Sequence, residues 1–269
     1  MPTPAQFSAG LLSRVRQRKP LIHHITNFVV MNETANITLC AGASPVMAHA
    51  KEEVAEMVAA AGALVLNIGT LTPEQVESML IAGRRANELN VPIVLDPVGA
   101  GATNLRTESA RRLLSELKIS IIRGNLAELA TLAGFEARIA GVDSLETGAS
   151  AEEVARKLAQ KNQCVAAITG AVDIVSDGNR LARISNGHAM MGRVTGTGCM
   201  STSVTACFAA VEPDRFLATT GALAAFGLTG EIAARNSQGP GSFHAQLYDA
   251  LANLAPEELA EGARIELAE

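Results

Sequence analysis

The stretch VPIVLDPVGAG, Val91 to Gly101, runs an almost unbroken apolar segment into an aspartate, a proline and two glycines. A strand with one face in water alternates apolar and polar side chains. A strand apolar at nearly every position suits a parallel sheet covered on both faces. Three more segments read the same way: ALVLNIG (Ala63 to Gly69), ISIIRGN (Ile119 to Asn125) and CVAAITG (Cys164 to Gly170). Between them lie helical patterns at Thr72 to Asn90, with Pro73 at a first helical position, at Arg106 to Lys118, and at Ala151 to Asn162. Strand and helix recurring at this spacing form βαβ units, which predicts an α/β fold with a mostly parallel central sheet and helices on both faces. VDIVSDGNRLARIS (Val172 to Ser185) breaks the rule, because two short runs flank Asp177-Gly178 and signal an antiparallel edge hairpin.

From Cys199 onward the pattern is almost entirely helical. Gly221, Gly227 and Gly230 interrupt an Ala-rich run, which suggests close helix packing. NSQGPGSF (Asn236 to Phe243) reads as a loop before a last helix, Ala245 to Asn253. Without repeats, linker or low-complexity tract, residues 1–269 are expected to form a single domain.

Hydrophobic residues make up 48% of the chain, with no Trp and one Tyr, so the core is expected to be Ala, Leu, Val and Ile. A net charge of -5, with basic residues clustered only at Arg14 to Lys19, argues against nucleic acid as partner. Four cysteines without C-x-x-C spacing make zinc and redox motifs weak readings and a reducing cytosol the simpler setting. The N-terminus lacks the apolar core of a signal peptide, and Phe216 to Gly230 is short for a membrane span. A cytoplasmic protein without a membrane partner is expected.

In open α/β sheets, ligands bind beyond the carboxyl ends of the strands. There the sequence puts Asn67, Gly69 and Thr70, then Asp96 with Gly99 and Gly101, then Arg123 and Asn125, then Thr169 and Gly170. RVTGTGC (Arg193 to Cys199) opens a helix, where unpaired amides favour an anion. Each feature also has an ordinary explanation. Asp96-Pro97 starts turns, and Asn125 with Glu128 has the spacing of a capping box. Arg123 would serve as a surface ion pair, and Cys199 as a small buried apolar residue. Their convergence on one sheet edge favours a shared purpose. Asp96 and Glu128 are candidate Mg²⁺ groups, Arg123 and Thr169 candidate phosphate holders, and the amides of Gly196, Thr197 and Gly198 a candidate anion hole. The P-loop pattern is absent and the dinucleotide fingerprint incomplete, so this set describes phosphoryl transfer without a P-loop.

With these residues in view, the chain resembles the hydroxyethylthiazole kinases of the ribokinase-like superfamily over about Leu21 to Phe243. The resemblance rests on HHITNFVV (His23 to Val30), GASPVMAHAKEEV (Gly42 to Val54), NIGTL (Asn67 to Leu71), LDPVGAGAT (Leu95 to Thr103), IRGNLAE (Ile122 to Glu128), VTGTGC and GPGSF (Gly239 to Phe243), in that order. It implies ATP- and Mg²⁺-dependent phosphorylation of the alcohol of 4-methyl-5-(2-hydroxyethyl)thiazole, and a homotrimer with sites at subunit interfaces. By motif, Met47 and Gly196 fall at thiazole-binding positions with Asn27, Gly69 and Thr70 nearby. Arg123 and Thr169, with Asn125 beside them, fall at ATP-binding positions, and Asp96 and Glu128 in the metal-phosphate region. Cys199 stands where the superfamily usually carries a basic aspartate. Its place at a helix N-terminus predicts an acidified thiol that accepts or orients the hydroxyl proton.

Three rivals stay open at this point: a kinase of hydroxymethylpyrimidine or a pyridoxal-type alcohol, a hydrolase with Cys199 as nucleophile, and a sensor that binds without turnover. The five histidines show no metal-ligand spacing. His23 and His24, adjacent in an extended strand, point to opposite faces and cannot chelate together.

Overall fold

A computed structural model describes residues 2–135, 138–139, 145–146 and 149–268. The strands are β1 (Leu21–Ile25), β2 (Ser44–Val46), β3 (Ala63–Asn67), β4 (Ile93–Asp96), β5 (Ile121–Asn125), β6 (Arg138–Ile139), β7 (Leu145–Glu146), β8 (Val165–Thr169), β9 (Asp173–Ser176), β10 (Leu181–Ile184) and β11 (Ile265–Ala268). β6 and β7 pair with each other. The other nine form one sheet in the order β2-β1-β3-β4-β5-β8-β9-β10-β11. Its first six strands are parallel and its last three antiparallel. The four continuously apolar runs become β3, β4, β5 and β8, side by side in the middle. The Asp177-Gly178 turn joins β9 to β10.

The helices are α1 (Pro4–Arg18), α2 (Met31–Ala41), α3 (Val54–Ala59), α4 (Pro73–Leu89), α5 (Asn104–Glu116), α6 (Leu126–Ala133), α7 (Ala151–Asn162), α8 (Thr197–Ala209), α9 (Arg215–Arg235), α10 (Pro240–Asn253) and α11 (Pro256–Gly262). Thr72 caps α4 ahead of Pro73, while Ser150 with Glu153 and Asn125 with Glu128 form capping boxes on α7 and α6. Successive strand residues alternate between two apolar layers, as the period of two requires. Ala63 and Val65 face one layer with Val94, Val204, Ala222 and Phe226. Leu64 and Leu66 face the other with Leu95, Met79, Leu113 and Leu129. α9, at 21 residues, is long and apolar enough to cross a membrane, but 83% of its apolar window lies inside the fold, packed on α1, α8 and α10.

The C-terminal region differs from expectation. GPGSF is a helix start rather than a loop, because Pro240 occupies the first position of α10, where its missing N–H costs nothing. α11 and β11 follow, so the helix ending at Asn253 is not the last element. β2 and β11 both lie at sheet edges, where a three-residue Ser-Pro-Val strand or a half-exposed one suffices.

Candidate active site

Strand order 2-1-3-4-5 is that of a doubly wound sheet whose topological switch lies between β1 and β3. The candidate residues follow the carboxyl rim of that sheet in spatial order. Met47 follows β2, Asn27 follows β1, Asn67 ends β3 with Gly69 and Thr70 in the loop after it, Asp96 ends β4, Arg123 and Asn125 belong to β5, and Thr169 ends β8. At ~4.8 Å between strands, the rim from β2 to β8 spans about 24 Å. Register sets the neighbours directly, with Asn67 beside Asp96 and Asn125 beside Thr169.

α8 brings Cys199 to this rim, packing against β3 and β4 with its N-terminus at the switch. Gly196 is its N-cap, at φ 87, and a Cβ there would lie 2.8 Å from Val30 Cγ1. A left-handed turn against a neighbour leaves room only for glycine. The cap therefore has no side chain to bond the first amides of the helix, and those of Thr197, Gly198 and Cys199 are left for a ligand. The Thr197 hydroxyl donates back to the Met191 carbonyl at 2.8 Å, so Thr197 offers its amide rather than its side chain.

Around the sulfur is a buried amide network. Asn67 Nδ2 donates to Cys199 Sγ at 3.2 Å, and Asn27 Nδ2 approaches it at 3.6 Å. Asn27 Nδ2 also donates to Asn67 Oδ1 at 2.8 Å, while its own Oδ1 accepts from the Val29 amide at 3.1 Å. The loop after β3 closes over this pair: a Cβ on Gly69 would fall 2.6 Å from Asn27 Nδ2. Thr70 Oγ1 accepts from the Phe28 amide at 2.9 Å, tying the β1 and β3 loops together. The acidified thiol expected from the helix position is corrected here. Burial, with the Asp96 carboxylate second, pushes the Cys199 thiol up to about 12, outweighing Asn67, Arg123 and Asn27, which favour the thiolate. At neutral pH the thiol is therefore protonated.

On the far side of the turn, Arg123 Nη2 donates to Thr169 Oγ1 at 2.7 Å, and its Nη1 lies 2.8 Å from where a Cβ on Gly198 would sit. The Nε of Arg123 is buried without a partner, a donor held ready for an anion. Asn125 and Glu128 cap α6 mutually, at 2.9 Å in each direction. The ordinary reading of that pair therefore holds, whatever else they do.

Asp96 is 1% exposed. Its Oδ2 accepts from Asn67 Nδ2 and Thr202 Oγ1, both at 2.9 Å, and its Oδ1 accepts from no described side chain. Burial pushes its carboxyl up to about 6, against the pull of Arg123. Glu128 Oε1 accepts from the Gly99 amide at 2.8 Å. No cluster of three metal-binding side chains exists among the described residues. Two carboxylates that each keep acceptor capacity beside their protein bonds fit a hydrated Mg²⁺, and do not fit a closed protein cage.

Arg106 carries no residue-specific motif and is missed by sequence reasoning. Its guanidinium bonds the carbonyls of Val98 at 2.8 Å and Gly69 at 2.6 Å, locking the β3 and β4 loops to each other. Met47 is half-buried beyond β2, and its neighbourhood is held by His23 Nε2, 2.8 Å from the Ala48 carbonyl. His24 turns the other way, toward Thr38 at 3.3 Å, as adjacent strand residues must. A groove of about 960 Å³ lies at the opposite end of the sheet, lined by Lys118, Gln160, Asp177, Arg180 and Asp214. None of the candidate residues is there.

The doubly wound sheet is of the ribokinase-like kind, and a bare helix N-terminus faces a guanidinium across its rim, an arrangement suited to holding an anion between them. Residues 12–257 match the sequence model of the hydroxyethylthiazole kinase family, and the chain belongs to that family. It is 55% identical to a hydroxyethylthiazole kinase of Methanocella arvoryzae over 98% of this chain and 99% of that one. The structure of the Pyrococcus horikoshii hydroxyethylthiazole kinase superposes with a TM-score of 0.90 at 46% identity, covering 98% and 99% of the two chains. A Staphylococcus aureus pyridoxal kinase in complex with ADP, at TM-score 0.64 and 14% identity over 93% of this chain and 98% of that one, shares the fold alone.

Proposed function

We propose that this chain transfers the γ-phosphoryl group of ATP to the primary alcohol of 4-methyl-5-(2-hydroxyethyl)thiazole, in thiamine salvage. The observation that carries the reading is the order along the rim. Apolar and amide groups at Met47, Asn27, Gly69 and Thr70 lie on one side of the Gly196 turn, and Arg123, Thr169 and Asn125 on the other. The thiazole ring rests against Met47 and the β1–β3 loops, and the nucleotide phosphates against Arg123 and Thr169. The migrating phosphoryl group meets the amides of Thr197, Gly198 and Cys199. Asp96 and Glu128 would hold Mg²⁺, which would supply neutralisation of the nucleotide phosphate charge.

The alcohol oxygen bonds to γ-phosphorus while the bond to the β-phosphate oxygen breaks, and ADP leaves with that electron pair. A loose transition state keeps the hydroxyl proton on oxygen until late, so positioning outweighs basicity. A protonated Cys199 has no vacant place for that proton. Its role is to orient the hydroxyl, and the proton departs to a phosphoryl oxygen of the product. The hydrolase rival finds no support, since the described partners of Cys199 are two amides and no histidine. Residues 1–269 act as one domain, in a cytoplasmic homotrimer.

The test is turnover of ATP-Mg²⁺ with a panel holding the thiazole alcohol, hydroxymethylpyrimidine and pyridoxal, products read by mass. The thiazole phosphate should dominate kcat/KM. Preference for either other alcohol overturns the substrate, and ATP binding without any product makes the chain a sensor.

A further inference from the structure

Asn67 ends β3 beside Asp96 and is 1% exposed. A carboxamide has two N–H donors and an oxygen that accepts twice. All four capacities are used here. Nδ2 donates to Asp96 Oδ2 at 2.9 Å and to Cys199 Sγ at 3.2 Å, while Oδ1 accepts from Asn27 Nδ2 at 2.8 Å and the Gly69 amide at 2.9 Å. The two ends cannot be exchanged. A backbone amide only donates and an ionised carboxylate only accepts, so Oδ1 must face Gly69 and Nδ2 must face Asp96. Hydrogen-bond chemistry thus fixes which atom meets the sulfur.

That orientation constrains the thiol. Its lone-pair side toward β3 receives an N–H from Asn67, and Asn27 approaches from β1. The thiol hydrogen therefore turns away from both amides, to the open side of the turn. The same NH₂ group holds the carboxylate of β4, which Thr202 of α8 grips from the other side at 2.9 Å. We propose that Asn67 is a positioning residue for the phosphoryl transfer, one amide fixing the thiol that meets the alcohol relative to the carboxylate that serves the phosphates. The inference rests on the kinase reading above.

Asn67→Asp tests it, because it keeps the shape and both accepting contacts and deletes the donor to Cys199 Sγ, while it can face the Asp96 carboxylate only by sharing a proton with it. We expect kcat to fall about tenfold, the worth of one lost hydrogen bond, with the KM values for alcohol and ATP within about twofold. Iodoacetamide should label Cys199 at least about threefold more slowly at pH 9, since a donor to the thiolate is gone, whereas a site merely loosened would label faster. In a Cys199→Ala background the same substitution should cost clearly less, as expected when two residues share one task. Equal fold losses in both backgrounds, faster labelling, or an unchanged kcat would overturn the proposal. Asn67→Ser, whose hydroxyl is too short to span both partners, is read the same way if Asn67→Asp does not fold. If neither folds, Asn67 is a structural residue and the proposal fails. An unaltered protein that leaves the thiazole alcohol unphosphorylated sinks the kinase reading instead, and labelling still reports the hold on Cys199.

Discussion

At Asp96 the chain keeps a carboxyl away from water although neutral form and charge compete there. Its pKa in the folded protein is raised to about 6 from 3.8, chiefly by burial. A raised carboxyl stabilises the fold fully below its unfolded pKa and loses that contribution as pH climbs through the folded value. Between those two values roughly 3 kcal/mol of stability is forfeited. Asp96→Asn removes the charge and keeps the shape. It should raise the thermal midpoint at pH 8, with the gain fading by pH 4, while phosphorylation collapses. A midpoint at pH 8 equal to or below the parent's would refute this sign. Cys199 offers a second titration. With its thiol pushed up to about 12, alkylation at that residue should still be accelerating at pH 10. Cys199→Ala should lower kcat at saturating substrate by about tenfold, the worth of one orienting hydrogen bond. Turnover equal to the parent's removes Cys199 from the reaction. What the sequence could not convey was this inverted acidity. A thiol at a helix start reads as acidic when only the helix is considered, and the nearby carboxylate and dry surroundings come from β4 and β3, far away in the chain.

Single elements were legible where the signal was local. The Asn125–Glu128 capping box, the Asp177-Gly178 turn and the four doubly covered strands all follow from short-range rules. β2 and β11 escaped because edge strands need neither length nor a continuous apolar run. Arg106 escaped because an arginine on a helix says nothing of the two loop carbonyls it will meet. The close packing of loops also yields a prediction. Gly69→Ala would drive a methyl into Asn27, 2.6 Å from Nδ2. Overpacking of this kind costs about 1–3 kcal/mol, so the urea midpoint should drop measurably. Because Asn27 moves with it, kcat should fall as well. A variant with the parent's midpoint and kcat would mean the β3 loop yields without disturbing Asn27.

Over the whole molecule, the arrangement of the site depends on strand order, and no segment announces where it will sit in a sheet. The motifs supply the residues, and only the order β2-β1-β3-β4-β5-β8 ranks them along the rim, from the proposed alcohol side to the proposed nucleotide side. Assembly belongs at this scale too. Phe28 is 64% and Val29 56% exposed beside the rim, apolar side chains on a loop bonded to Thr70. Light scattering should return the mass of three chains of 27.9 kDa, and a single-chain mass with full activity would dissociate the trimer from the site.

From Met200 to Ala209 every residue of α8 is buried. A helix packed on all sides offers a tip whose place is set by the fold before any molecule arrives. Phe28 and Val29 beside it lie on the surface, so what covers them completes the wall that an arriving molecule meets.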